Sequence, residues 1–129
     1  MLYTKLRNFH WNVVGPHFQE YHKFFEEVYD EVEEHIDDTA QRIRTLNQRP
    51  LSLMKGFLQV ATLKESVGEN MNANSMLKEL TSDYEHLISN FNEYIDFMQE
   101  VKDIGTEDFL TGMLREYKKK LWIVRSVNS

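Results

Sequence analysis

The stretch Phe9-His10-Trp11-Asn12-Val13-Val14-Gly15-Pro16-His17-Phe18, carried on through His22 and Glu26 to Asp37-Asp38-Thr39-Ala40-Gln41-Arg42, decides how this chain folds. Gly15-Pro16 cannot continue an α-helix, because proline lacks the N–H that a helical turn needs. Before the break, Leu2, Leu6, Phe9 and Val13 recur at helical spacing. After it, Phe18, Tyr21, Phe25, Val28, Val32, Ile36, Ile43 and Leu46 keep steps of three, four or seven. The pattern predicts a hairpin of a short helix over 1–14 and a long amphipathic helix over 18–46.

Working outward, Asn47 to Asn74 loses the period. Pro50 stops the second helix, Ser52 is positioned to cap a short turn running to Leu58, and Gly68, Asn70 and Asn72 mark a loop. Period returns from Met76 to Val101 through Leu77, Leu80, Tyr84, Leu87, Phe91, Tyr94, Met98 and Val101. Gly105 is expected to end that helix and Thr106 to cap the last one, from Glu107 to about Val127. Short turn, long crossover and short turn predict an all-α four-helix bundle, a single domain over residues 1–129, with a short helix in the crossover between helices 2 and 3. The first helix reaches about 20 Å against about 40 Å for the second. Part of the groove is thus expected to be completed by residues upstream or by a second subunit.

Composition narrows the function. Zero Cys excludes a disulfide framework, a thiolate zinc site and a cysteine nucleophile, and fits a reducing, cytoplasmic setting. No apolar run is long enough to span a bilayer, so no membrane partner is expected. A net charge of −6 opposes a surface built throughout for phosphate and favours cations as small partners.

His10 and His22 flank the hairpin turn, so the antiparallel fold brings both rings to a similar height. Glu26, Asp37 and Gln41 share a helical stripe with His22, but Glu26 and Asp37 are about 16 Å apart along the axis. One helix cannot close both ends around one ion. Two copies packed antiparallel across a twofold axis would bring the Asp37 end of one to the His10, His22, Glu26 end of the other, forming two equal sites. Imidazole with carboxylate suits iron, with zinc as a substitute, better than magnesium or calcium. Glu-x-x-His pairs, the mark of a centre buried inside one bundle, do not occur.

At these residues the chain resembles the Dps family (DNA-binding proteins from starved cells, the mini-ferritins). The resemblance is carried by Lys5-Leu6-Arg7-Asn8-Phe9-His10-Trp11-Asn12, Gly15, Phe18, His22, Phe25-Glu26-Glu27-Val28-Tyr29-Asp30, Asp37, Ala40 and Arg42. It implies a ferritin-like subunit and a hollow homododecamer. Intersubunit sites would oxidise Fe(II), preferentially with hydrogen peroxide, and the Fe(III) would be stored inside, protecting against oxidative damage. His10, His22 and Glu26 of one subunit and Asp37 of its twofold partner would be the catalytic ligands. Gln41 stands where the family pattern has a ligating Glu; a neutral amide binds iron poorly, so Gln41 reads as a hydrogen-bonding group at a ligand position. That departure supports a second reading, a non-catalytic cage acting in storage or DNA compaction. Family members often carry a basic N-terminal tail for DNA; this sequence does not include one, so DNA binding by a tail is not among the expectations carried over.

Eight acids and no Lys or Arg lie between Glu26 and Asp38. Most serve a solvated face; the sharper expectation is that Glu27, Asp30, Glu31 and Glu34 gather cations for iron nucleation. Asp103, Glu107 and Asp108 are candidates for a cation pore. Arg115, Lys118, Lys119, Lys120 and Arg125 read as an outer basic face, Trp11 and the methionines as core, and His17, His35 and His86 as surface or packing residues.

Overall fold

Five helices follow in order: α1 (Leu2–Asn12), α2 (Phe18–Thr45), α3 (Met54–Val60), α4 (Ala73–Glu100) and α5 (Ile104–Val127). The computed structural model describes residues 1–69 and 71–128, and no strand occurs among them. The fold is all-α, with α3 inside the crossover as the broken period predicts. Asn70, read as a loop marker, lies outside the described residues. Among the described residues no helix is long and apolar enough to cross a membrane. The helices fall into two compact units, Met1–Ala73 and the remainder from Asn74.

In the first unit, all four apolar positions that define α1 are buried: Leu2, Leu6, Phe9 and Val13. α1 stops where Val13 turns extended, and the chain reverses through Gly15 at φ +104° and His17 at φ +64°. α2 returns antiparallel. Phe9 meets Phe25 at 5.7 Å between ring centroids, and Tyr3 meets Tyr29 edge-on at 5.7 Å. Tyr3 lies near the start of α1, so α1 runs out near the midpoint of α2. Phe25, Val28 and Val32 are buried, whereas Ile36 and Leu46 on the far half of the same stripe are exposed. Arg42 and Arg44 sit in the last turn of α2, where cations complement the helix dipole.

Asn8 ties the crossover back to α1. Its amide donates to the Ser66 carbonyl at 2.8 Å. Gly68, buried at φ +69°, lies so close that a Cβ there would overlap the Asn8 side chain. α3 itself buries no residue, and its N-cap is Leu53, with no side-chain bond. Ser52 therefore does not cap it: the helix starts one residue later than the serine's position suggests.

In the second unit, Tyr84 packs on Tyr117 at 5.3 Å, and Phe91 meets Tyr117 edge-on at 5.0 Å. Arg125 pairs with Glu85, so the end of α5 lies beside the first half of α4. The predicted seam on α4 is longer than the buried one. Met76, Leu77, Leu80 and Tyr84 are buried, but Tyr94 and Val101, further along the same seam, stay exposed. The turn between the helices also differs from expectation. Lys102, not Gly105, takes the left-handed conformation, at φ +60°, while the Asp103 N–H bonds the Met98 carbonyl at 3.0 Å. Asp103, not Thr106, is the N-cap of α5, accepting from the Thr106 N–H at 3.1 Å and its hydroxyl at 2.7 Å. Gly105 lies inside the first turn of α5.

Two substitutions test these anchors by chemical denaturation. Gly68→Ala combines a left-handed backbone with an occupied Cβ position and is expected to destabilise by at least about 1–2 kcal/mol. Asp103→Ala removes a cap and is expected to cost about 1 kcal/mol, with unfolding midpoints unchanged if either contact is incidental.

Candidate metal centre

His10 ends the last full turn of α1 and His22 lies in the second turn of α2, so the hairpin brings them face to face. Their rings stack at 3.8 Å between centroids with 15° between planes. His10 Nδ1 lies 2.7 Å from the His22 carbonyl oxygen, and His22 Nδ1 lies 2.7 Å from the His10 carbonyl oxygen. A carbonyl oxygen only accepts, so each Nδ1 must carry its proton and donate. In the neutral rings each Nε2 is then a bare lone pair, the state a metal ligand requires, and the second nitrogen is held by backbone as ligating histidines commonly are.

Aromatic side chains clamp the pair. Phe18 stacks on His22 at 5.1 Å, and Tyr29 meets His10 edge-on at 5.4 Å. Arg7 lies 5.4 Å from the Tyr29 ring, 5.6 Å from the Tyr3 ring and 4.9 Å from the Trp11 ring, and donates to the Tyr3 hydroxyl at 2.7 Å. Trp11 is therefore not core: it is 62% exposed and serves as a face for the Arg7 cation. Spacing alone does not single out Tyr29, although it lies seven residues past His22 on the same helical face. Burial, then the charges of Glu26 and Asp30, push its phenol up against the opposing effect of Arg7.

Glu26 lies one turn beyond His22 and is exposed. Asp37 and Gln41 stand at the other end of the stripe, both exposed, with the Gln41 amide donating to Asp37 Oδ2 at 2.7 Å. Eleven residues of helix keep Glu26 and Asp37 about 16 Å apart. Among the described residues no group of three or more His, Cys, Asp or Glu converges on one point. One chain thus carries an imidazole pair beside the first turns of α2 and, well apart from it, a carboxylate–amide pair further along the same helix. Of the acidic run, Glu27, Asp30 and Glu34 are exposed and Glu31 is half-buried. Asp103 is engaged in capping, Glu107 accepts from the Gln99 amide at 2.9 Å, and Asp108 is exposed.

Nitrogen-detected NMR of the metal-free protein is expected to show Nδ1 protonated and Nε2 bare on both His10 and His22; the opposite tautomer on either ring would contradict the arrangement. Tyr29 supplies a pH test. A phenol whose folded pKa is raised stabilises the fold fully below its unfolded value, about 10, and that stability is lost as pH rises through the folded value. Tyr29→Phe is expected to flatten the alkaline branch of a stability–pH curve.

Comparison with known proteins places the fold and the family. The family model described as a ferritin-like domain matches residues 1–128. A Nostoc protein described as low temperature-induced and uncharacterised is 43% identical over 127 residues, covering 98% of this chain and 71% of the relative. DNA protection during starvation protein 2 of Bacillus anthracis is 36% identical, covering 98% of this chain and 86% of its own length. The crystal structure of the Dps protein of Vibrio cholerae, described as a member of the superfamily of ferritin-like diiron-carboxylate proteins, superposes with a TM-score of 0.94 at 30% identity, over 99% of this chain and 80% of that one. The five helices form a ferritin-like fold, and the chain belongs to the Dps family.

Proposed function

We propose that this protein is an iron-storing mini-ferritin that oxidises Fe(II) at sites shared by two subunits, using hydrogen peroxide in preference to oxygen. The observation that carries the reading is the His10–His22 pair, with both Nδ1 atoms donating to backbone and both Nε2 atoms left for metal. His10, His22 and Glu26 of one copy bind Fe(II) together with Asp37 of a second copy, which meets the first across a twofold axis. Two Fe(II), taken up in turn at these sites, each give up one electron, the O–O bond of one peroxide breaks, and two protons complete two waters. Consuming peroxide and Fe(II) together removes both reactants of radical formation. The name of the Bacillus anthracis relative, which speaks of DNA protection during starvation, fits that outcome.

The product is held inside a homododecamer whose subunits each act as one domain in the cytoplasm. Glu27, Asp30, Glu31 and Glu34 nucleate Fe(III), since clustered carboxylates concentrate cations. Asp103, Glu107 and Asp108 flank the cation entry. A second reading, a non-catalytic cage for storage or DNA compaction, is favoured by one observation: Gln41 supplies an amide and already occupies Asp37.

Anaerobic Fe(II) loading followed by peroxide separates the two. Ferric absorbance is expected to grow faster than in a protein-free control and to fall to the control rate in His22→Ala. A native protein that matches the control while Gln41→Glu is fast supports the second reading. Light scattering on the same sample is expected to give a mass near twelve subunits, and a monomer overturns both.

A further inference from the structure

The bond from Gln41 to Asp37 is oriented by chemistry. A carboxylate only accepts, so the Nε2 end of the amide must face Asp37 Oδ2, 2.7 Å away, and the neutral Oε1 points elsewhere. An amide nitrogen so engaged has no lone pair for a metal. Oδ2 gives part of its accepting capacity to this bond, which leaves Oδ1 as the freer ligand atom of Asp37. A glutamate at position 41 would act differently, since two carboxylates one helical turn apart repel. A shared cation relieves that repulsion, whereas the Gln41–Asp37 pair is satisfied without one.

The opposite half-site is equally sparing. Each imidazole has spent Nδ1 on the other's backbone and offers one lone pair, both neutral, and Glu26 adds one negative charge. A completed site therefore carries the charge of Glu26 and Asp37 alone, which balances one divalent ion, and it holds no third carboxylate to bridge a second.

We infer that Gln41 sets the capacity of each shared site at one divalent cation, by keeping Asp37 a one-oxygen ligand and withholding a bridging carboxylate. The inference rests on the intersubunit site proposed above and specifies its metal capacity. Gln41 acts as a specificity-determining residue at the ligand position.

Co(II), which does not turn over with oxygen at a carboxylate–imidazole site as iron does, is the probe. Titrated into the assembled protein and followed by calorimetry and visible absorption, it is expected to saturate at one ion per site in the native protein and at two in Gln41→Glu. Without metal, Gln41→Glu is expected to melt below the native protein, and Co(II) is expected to raise its melting temperature by more. Two ions per site in the native protein that are lost in His22→Ala overturn the role of Gln41 and leave the shared site standing. Co(II) uptake that His22→Ala does not change overturns the site itself, and the inference with it.

Discussion

The exchange of hydrogen bonds between His10 and His22 is the constraint on which the rest depends. Each ring reaches across the hairpin to the backbone carbonyl of the other's residue, so two side chains of opposite helices fix each other's position, tautomer and rotation at once. The stack at 3.8 Å holds only while α1 and α2 keep their register. That register is set by Phe9 against Phe25 and Tyr3 against Tyr29, and by a reversal that needs left-handed backbone at Gly15 and His17. Packing thus places the two lone pairs on which the proposed metal chemistry rests.

The same helix imposes the opposite consequence at its far end. α2 carries these side chains on one stripe and is too long to let them meet, so Asp37 stands about 16 Å from Glu26 along the axis and Gln41 one turn further. The far half of α2 also leaves Ile36 and Leu46 exposed. In the proposed assembly, the ligand set of one chain is half-built, and metal binding and association would stabilise one another. The interaction of Gln41 with Asp37 moderates that coupling, because it satisfies the carboxylate before any cation arrives.

Much of this was legible from residue order. Gly15-Pro16 fixes a turn, and counting outward from it brings His10 and His22 level; periodicity then separates α2, α4 and α5. What escaped the sequence has identifiable causes. Trp11 reads as core by bulk, yet it faces outward and offers its ring to Arg7, a pairing set by which face α1 buries. Gly105 is the residue type that usually closes a helix, but Lys102 accepts the left-handed conformation and Asp103 captures Thr106 first. The tie from Asn8 to Ser66 and Gly68 spans the crossover and leaves no trace in local spacing. The bonds from Nδ1 to carbonyl depend on backbone register to within an ångström, which periodicity does not specify.

The central claim, that each cation pocket takes its imidazoles from one copy and its carboxylate from another, is tested most directly by mixing two inactive halves. Chains carrying His22→Ala and chains carrying Asp37→Ala are unfolded together, reassembled and assayed for bound Co(II). Each variant alone is predicted to hold none at this site. Random mixing is predicted to restore about a quarter of native capacity, because a mixed pair rebuilds one of its two sites. A mixture that binds no more than either variant alone would contradict the account.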